Sequence, residues 1–210
     1  MAIRSAHRDA LRLLFVIEAG SRPLRSPDAS DTVAIFKGET RLWAFEFWMR
    51  NPDYLAAELL DLFETTTDVA YLHEAEAIFQ KEEPDLRRVP MIRYCFGAFD
   101  RLDDAMALLR SRDLIRITGI KTFDKIRETD FLLTSRGADF CATCVIQAPV
   151  LTWYRDRASL VAKVAGDRSG NALKETQYNR ATYAETKLGG IIPPIAAEVA
   201  QRLAEMKAKL

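Results

Sequence analysis

Between residues 101 and 137 the spacing of apolar side chains changes twice, and no other stretch of the chain restricts its fold as much. Leu102, Ala105, Leu108 and Leu109 recur at helical intervals and place one apolar stripe on a helix ending near Arg112. From Leu114 to Ile120 the pattern becomes alternating, with Leu114, Arg116 and Thr118 on one side and Ile115, Ile117 and Gly119 on the other. That is the two-residue period of a strand. Residues 121–124 supply a polar tip, and a second strand over about 125–133 leads to Thr134, whose hydroxyl suits the cap of a following helix. The expected order is helix, strand, basic hairpin, strand, helix.

With that order, the stretch over about residues 85–140 resembles the winged helix-turn-helix superfamily, in particular regulators of the MarR or PadR type. Two phrases carry the resemblance: Leu109-Arg110-Ser111-Arg112-Asp113-Leu114-Ile115 and Leu133-Thr134-Ser135-Arg136-Gly137. It implies a helix laid in the major groove of double-stranded DNA and a wing touching the neighbouring backbone. By position, Arg101, Asp104 and Arg110 would face the groove, and Arg116, Lys121, Lys125 and Arg127 would meet phosphates. Cations suit this task because each neutralised phosphate releases a counterion, and guanidinium bonds guanine bidentately.

The first turn of the same helix points elsewhere. Asp100, Asp103 and Asp104 would repel phosphate, although carboxylates there also favour the helix start through the macrodipole. Residues 85–137 hold 11 cations and 8 carboxylates, a small excess for a DNA-facing surface. Two functions stay open: a winged-helix DNA-binding transcription regulator, or a non-catalytic helical adaptor that uses the module for protein–protein contact.

The flanks read as helices, giving a mainly α fold with a small β-hairpin wing. Leu11, Leu14 and Phe15 mark a first helix over about 5–19, followed by a loop at 21–31 with two prolines. Residues 40–50 are apolar nearly all round, which requires burial; Trp43, Phe45, Phe47 and Trp48 suit a core, or a pocket for an apolar effector. Asn51-Pro52-Asp53 reads as a helix start with Asn51 as cap. A helix to about Thr65 and another after Asp68, using Leu72, Ala75 and Phe79, reach Pro84.

Cut at Pro84, the neutral chain separates into parts of opposite charge. Residues 1–84 carry 9 cations against 15 carboxylates, and residues 85–210 carry 21 against 15. The expected division is an acidic helical region (1–84), the winged-helix module (85–148) and C-terminal helices (149–210). After Pro193-Pro194, Ile195, Val199, Leu203 and Met206 form a helical stripe that either folds back on its own domain or pairs with a second copy; a homodimer is the expectation.

Chemistry is not apparent. Cys141 and Cys144 have redox spacing but lack the further ligands of a zinc site, and they read as small buried hydrophobes. His73-Glu74 lacks the second histidine of a metalloprotease helix, since Ala77 stands there. Gly166, Gly170 and Gly189-Gly190 lack phosphate-loop spacing and read as helix ends. The expectation is a protein that is not an enzyme, with no cofactor and no metal. Three cysteines point to a reducing, cytoplasmic setting, and no stretch reads as a membrane span.

Overall fold

The computed structural model describes residues 5–24, 31–80, 91–94, 97–100, 102–122 and 125–209, and for 97, 120–122 and 125–128 the backbone alone. The fold is mainly helical with a small antiparallel sheet. By internal contacts it divides into two units, each built from two stretches of chain: unit 1 from 1–46 and 100–174, unit 2 from 47–99 and 175–210. The expected boundaries at 84 and 148 therefore do not separate the units. Unit 1 draws on all three expected regions because its sheet joins strands about a hundred residues apart.

Unit 1 is organised around α1 (Ala6–Gly20), started by the Ser5 hydroxyl, which accepts from the Arg8 amide at 3.5 Å. Leu13, Leu14, Phe15, Val16 and Ile17 are fully buried. α1 packs against α5 (Asp103–Ser111), α6 (Ser135–Gln147) and α7 (Thr152–Ala165). Next to it lies a sheet of β1 (Arg22–Pro23), β2 (Thr32–Lys37), β5 (Ile115–Thr122) and β6 (Lys125–Thr134), in the spatial order β1-β2-β6-β5. β1 begins inside the stretch expected to be loop, and residues 25–30 lie outside the described residues. β2 was not foreseen; its half-buried run lacks the alternation that marks a strand.

Two polar arrangements hold unit 1 together. Arg12, Asp9 and Glu46 form a buried ion triad: Arg12 Nε donates to Glu46 Oε1 at 2.8 Å and Oε2 at 3.1 Å, and its Nη2 lies 2.8 Å from Asp9 Oδ1. Opposite charge on both sides offsets the cost of taking a guanidinium out of water. Arg41, on α2 (Glu39–Arg50), donates to the carbonyls of Gly20 at 2.9 Å and Gly166 at 3.0 Å, so one side chain satisfies the ends of two helices. Its guanidinium also stands 4.6 Å from the Phe45 ring centre. Gly166, at φ +54°, ends α7 as expected. Gly170 instead begins α8 (Gly170–Tyr178), and Gly189 lies in a turn beyond α9 (Ala181–Glu185).

Unit 2 contains α3 (Pro52–Thr66) and α4 (Val69–Gln80), which pack on each other and on α10 (Ala196–Lys207). Phe47, Tyr54 and Tyr183 meet edge to face in its core. Pro52 opens α3 as expected, but Asn51 makes no side-chain cap; its Nδ2 donates back to the Phe47 carbonyl at 2.9 Å. Asp53 bonds across to the segment before α10, accepting from the Ile195 amide at 2.7 Å. The short strands β3 (Ile92–Tyr94) and β4 (Gly97–Phe99) pair as a hairpin, and β3 bridges to Ile191.

The C-terminal stripe is spent within unit 2. Ile195, Val199, Leu203 and Met206 are all buried, with α10 lying on α3 and α4, which corrects the expectation that these residues form a dimerisation surface. Arg202 reinforces the seating by reaching Asp61 at 2.7 Å and Glu64 at 2.8 Å. An apolar stripe flanked by charge has the same pattern whether its partner is its own domain or a second copy, and here its own helices cover it. Phe45, Phe47 and Trp48 are likewise core residues.

Candidate docking surface around α5 and β5

The expected order of helix, hairpin and helix is present as α5, β5, β6 and α6. The joint between α5 and β5 is tightly built. Asp113 takes the left-handed conformation (φ 54°), and the Leu114 amide returns to the Leu109 carbonyl at 3.0 Å. Thr134, the expected cap, accepts from the Gly137 amide at 3.0 Å and donates to the Asp113 carbonyl at 2.7 Å, binding the start of α6 to the start of β5. A Cβ on Gly137 would stand 2.2 Å from the Leu114 carbonyl oxygen, so this crossing admits only glycine.

α5 buries Ala105 and Leu109 against α1, and Asp103, Asp104, Ala107, Arg110 and Ser111 remain exposed. Its outer face therefore opens with two carboxylates and ends with one guanidinium. Arg116, on β5, is partly exposed and grips Asp113 with Nε at 3.1 Å and Nη2 at 3.2 Å. That hydrogen bond, with the nearby charges of Arg116 and Arg136, holds the Asp113 carboxyl below its ordinary range.

Of the other residues expected to meet DNA, Arg101 lies outside the described residues. Lys121, Lys125 and Arg127 are placed by backbone only. Lys121 pairs with Ile126 near the hairpin end, and the register shifts between Ile120 and Lys121, opposite Arg127.

Two hollows flank α5. One, about 330 Å³, lies between α1, α5 and α6; it is lined by Leu11, Leu14, Leu108 and Phe140, with Arg112 and Arg136 among its residues. The other, about 490 Å³, is a shallow groove between α5 and β5, bounded by Arg110, Asp113, Arg116 and Ile117. Sequence reasoning placed Arg110 and Arg116 here but not Arg112, Arg136 or Phe140. The signal for those three is present only once α6 is laid beside α1 and α5.

The cysteine pair is structural in its surroundings. Cys141 and Cys144 are both buried, and burial, with Glu18 beside it, pushes the Cys141 thiol well above its ordinary value. A thiol held protonated is a poor nucleophile. His73 is exposed on α4. Among the described residues no group of His, Cys, Asp and Glu is arranged to hold a metal ion, and no helix is long and apolar enough to cross a membrane. No family model matches the sequence, and the comparisons with curated proteins and with solved structures also return no match.

Proposed function

We propose that the chain is a non-catalytic docking protein whose unit 1 offers a winged-helix-like surface, centred on α5 and β5, to another protein. The order α5, β5, β6, α6 supports a winged-helix plan, as does the backing of β6 by β2. One observation carries the choice of partner. The outer face of α5 begins with exposed Asp103 and Asp104, where a helix reading DNA presents donors and cations. Carboxylates are repelled by phosphate at that distance, but protein partners offer groups of either sign. An apolar hollow set with arginine on one flank of α5, and a mixed groove with Arg110, Arg116 and Ile117 on the other, suit a protein interface, where arginine and large apolar side chains are enriched.

A DNA-binding regulator is the second reading, and the hairpin favours it. Residues 110–128 hold six cations against three carboxylates. The two readings separate by fluorescence anisotropy of the full chain with labelled duplex DNA at low and physiological salt. The docking reading expects no saturable binding at physiological salt at protein concentrations up to about 100 μM, the weak limit of the usual non-specific range. Saturable binding that falls steeply with salt, and that changing Lys121, Lys125 and Arg127 together to Ala weakens across all sequences, would establish the regulator instead.

A further inference from the structure

In the four-stranded sheet of unit 1, β5 is an outer strand whose far side pairs with no described strand. The Thr134 amide donates to the Leu114 carbonyl at 3.2 Å, and pairing then runs Arg116 with Leu132 and Thr118 with Asp130. In an antiparallel ladder the alternate residues turn their peptide groups the other way, so the N–H and C=O of Ile117 and Gly119 point to the open edge. Open edges are ordinarily blunted by proline, a bulge or a covering element. The register shift here comes only after Ile120, so the run from Ile115 to Gly119 carries no bulge.

The side chains of this edge are incomplete in the same place. Phe36 on β2 pairs with Phe131 on β6, and Phe131 pairs with Ile117, making one apolar row across three strands. Exposure along it rises from 0% at Phe36 to 3% at Phe131 and 39% at Ile117. A fifth strand, laid along β5, would put a residue beside Ile117 and extend the row. The groove of about 490 Å³ between α5 and β5 gives room for such side chains.

We propose that the open edge of β5 receives an extended segment of a partner protein, apolar at alternate positions and rich in carboxylates, which pairs with Ile117 and Gly119 and enlarges the sheet. This rests on the docking reading and names its partner's chemistry. Backbone geometry selects an extended segment, because only a strand meets outward N–H and C=O groups at this spacing. Charge selects its sign: the groove beside this edge is bounded by two guanidinium groups, Arg110 and Arg116, against one carboxylate, Asp113. A second copy pairing through its own β5 would set like charge against like.

The test is amide hydrogen exchange of the full chain, read residue by residue, with an acetylated Glu-Val octapeptide and its Lys-Val counterpart as probes. At about 1 mM the Glu-Val peptide is expected to slow exchange at Ile117 and Gly119 about tenfold, the response of a site mostly occupied at that concentration. The Lys-Val peptide is expected to leave them unchanged. Gly119→Pro deletes the outward N–H while sparing the amides that pair with β6, and it should abolish the protection. Retained protection at Thr118 and Asp130 shows that the variant has folded. No slowing with Glu-Val, equal slowing with Lys-Val, or slowing that survives Gly119→Pro overturns the proposal. Protection that grows with protein concentration alone replaces the acidic partner with a second copy and also overturns it. The docking reading fails separately, if the native protein carries no protein partner; a partner retained by Gly119→Pro would leave docking standing and remove the edge.

Discussion

Glu18 carries an ionisation set against folding. Its carboxyl is half buried on α1, and desolvation raises its pKa above the ordinary value; the Cys141 thiol and the charge of Arg155 act in the opposite direction but more weakly. The folded chain therefore binds this proton more tightly than the unfolded chain. Stability from this group is greatest below its ordinary pKa and falls as pH rises through the interval up to the raised value. Glu18→Gln keeps an acceptor for the Cys141 thiol and has no charge to bury. The expected result is a Tm above that of the wild type at about pH 7, with the difference closing near pH 3, where Glu18 is protonated in both states. A Tm difference that does not change with pH would contradict this account. Asp113 has the opposite sign, since pairing with Arg116 favours its charged form.

Arg41 shows how an element can be fixed by one residue from another. The carbonyls of Gly20 and Gly166, at the ends of α1 and α7, both accept from it, and its guanidinium lies over Phe36 and Phe45. Arg41→Ala removes these donors together with the ring contact, and the expected loss is about 2–4 kcal/mol by chemical denaturation. Arg41→Lys should recover only a small part, because an ammonium cannot reach two carbonyls in the same fork. An alanine variant as stable as the wild type would show that water can serve those helix ends equally well.

At the same scale, the helix, hairpin and capped helix around residues 103–147 were legible, because local period and the Thr134 cap are local signals. β2 was not, because its burial does not alternate and its pairing with β6 is a contact across about a hundred residues. For the same reason the sequence separated 85–148 from its true neighbours α1 and β2. Arg110 and Arg116 were found from spacing, but the open edge at Ile117 and Gly119 is a property of strand order, which no local pattern encodes.

The whole molecule is two units, each threaded by two stretches of chain, and the boundaries fall within α2, directly after β4 and within α8. Residues 47–99 of unit 2 stand in sequence between the two stretches of unit 1. The charge contrast across Pro84 therefore does not separate one unit from the other. The proposed docking is local to unit 1, at the arginine-set hollows beside α5, whereas the C-terminal stripe is buried in unit 2. The most direct test of docking is native mass spectrometry of the tagged chain, purified from its own cells after nuclease treatment, beside an Ile117→Asp and Arg110→Glu double variant. The wild type is expected as a stoichiometric protein complex and the variant at the monomer mass. A wild-type monomer after nuclease treatment, or a complex held equally by both proteins, would contradict the docking reading.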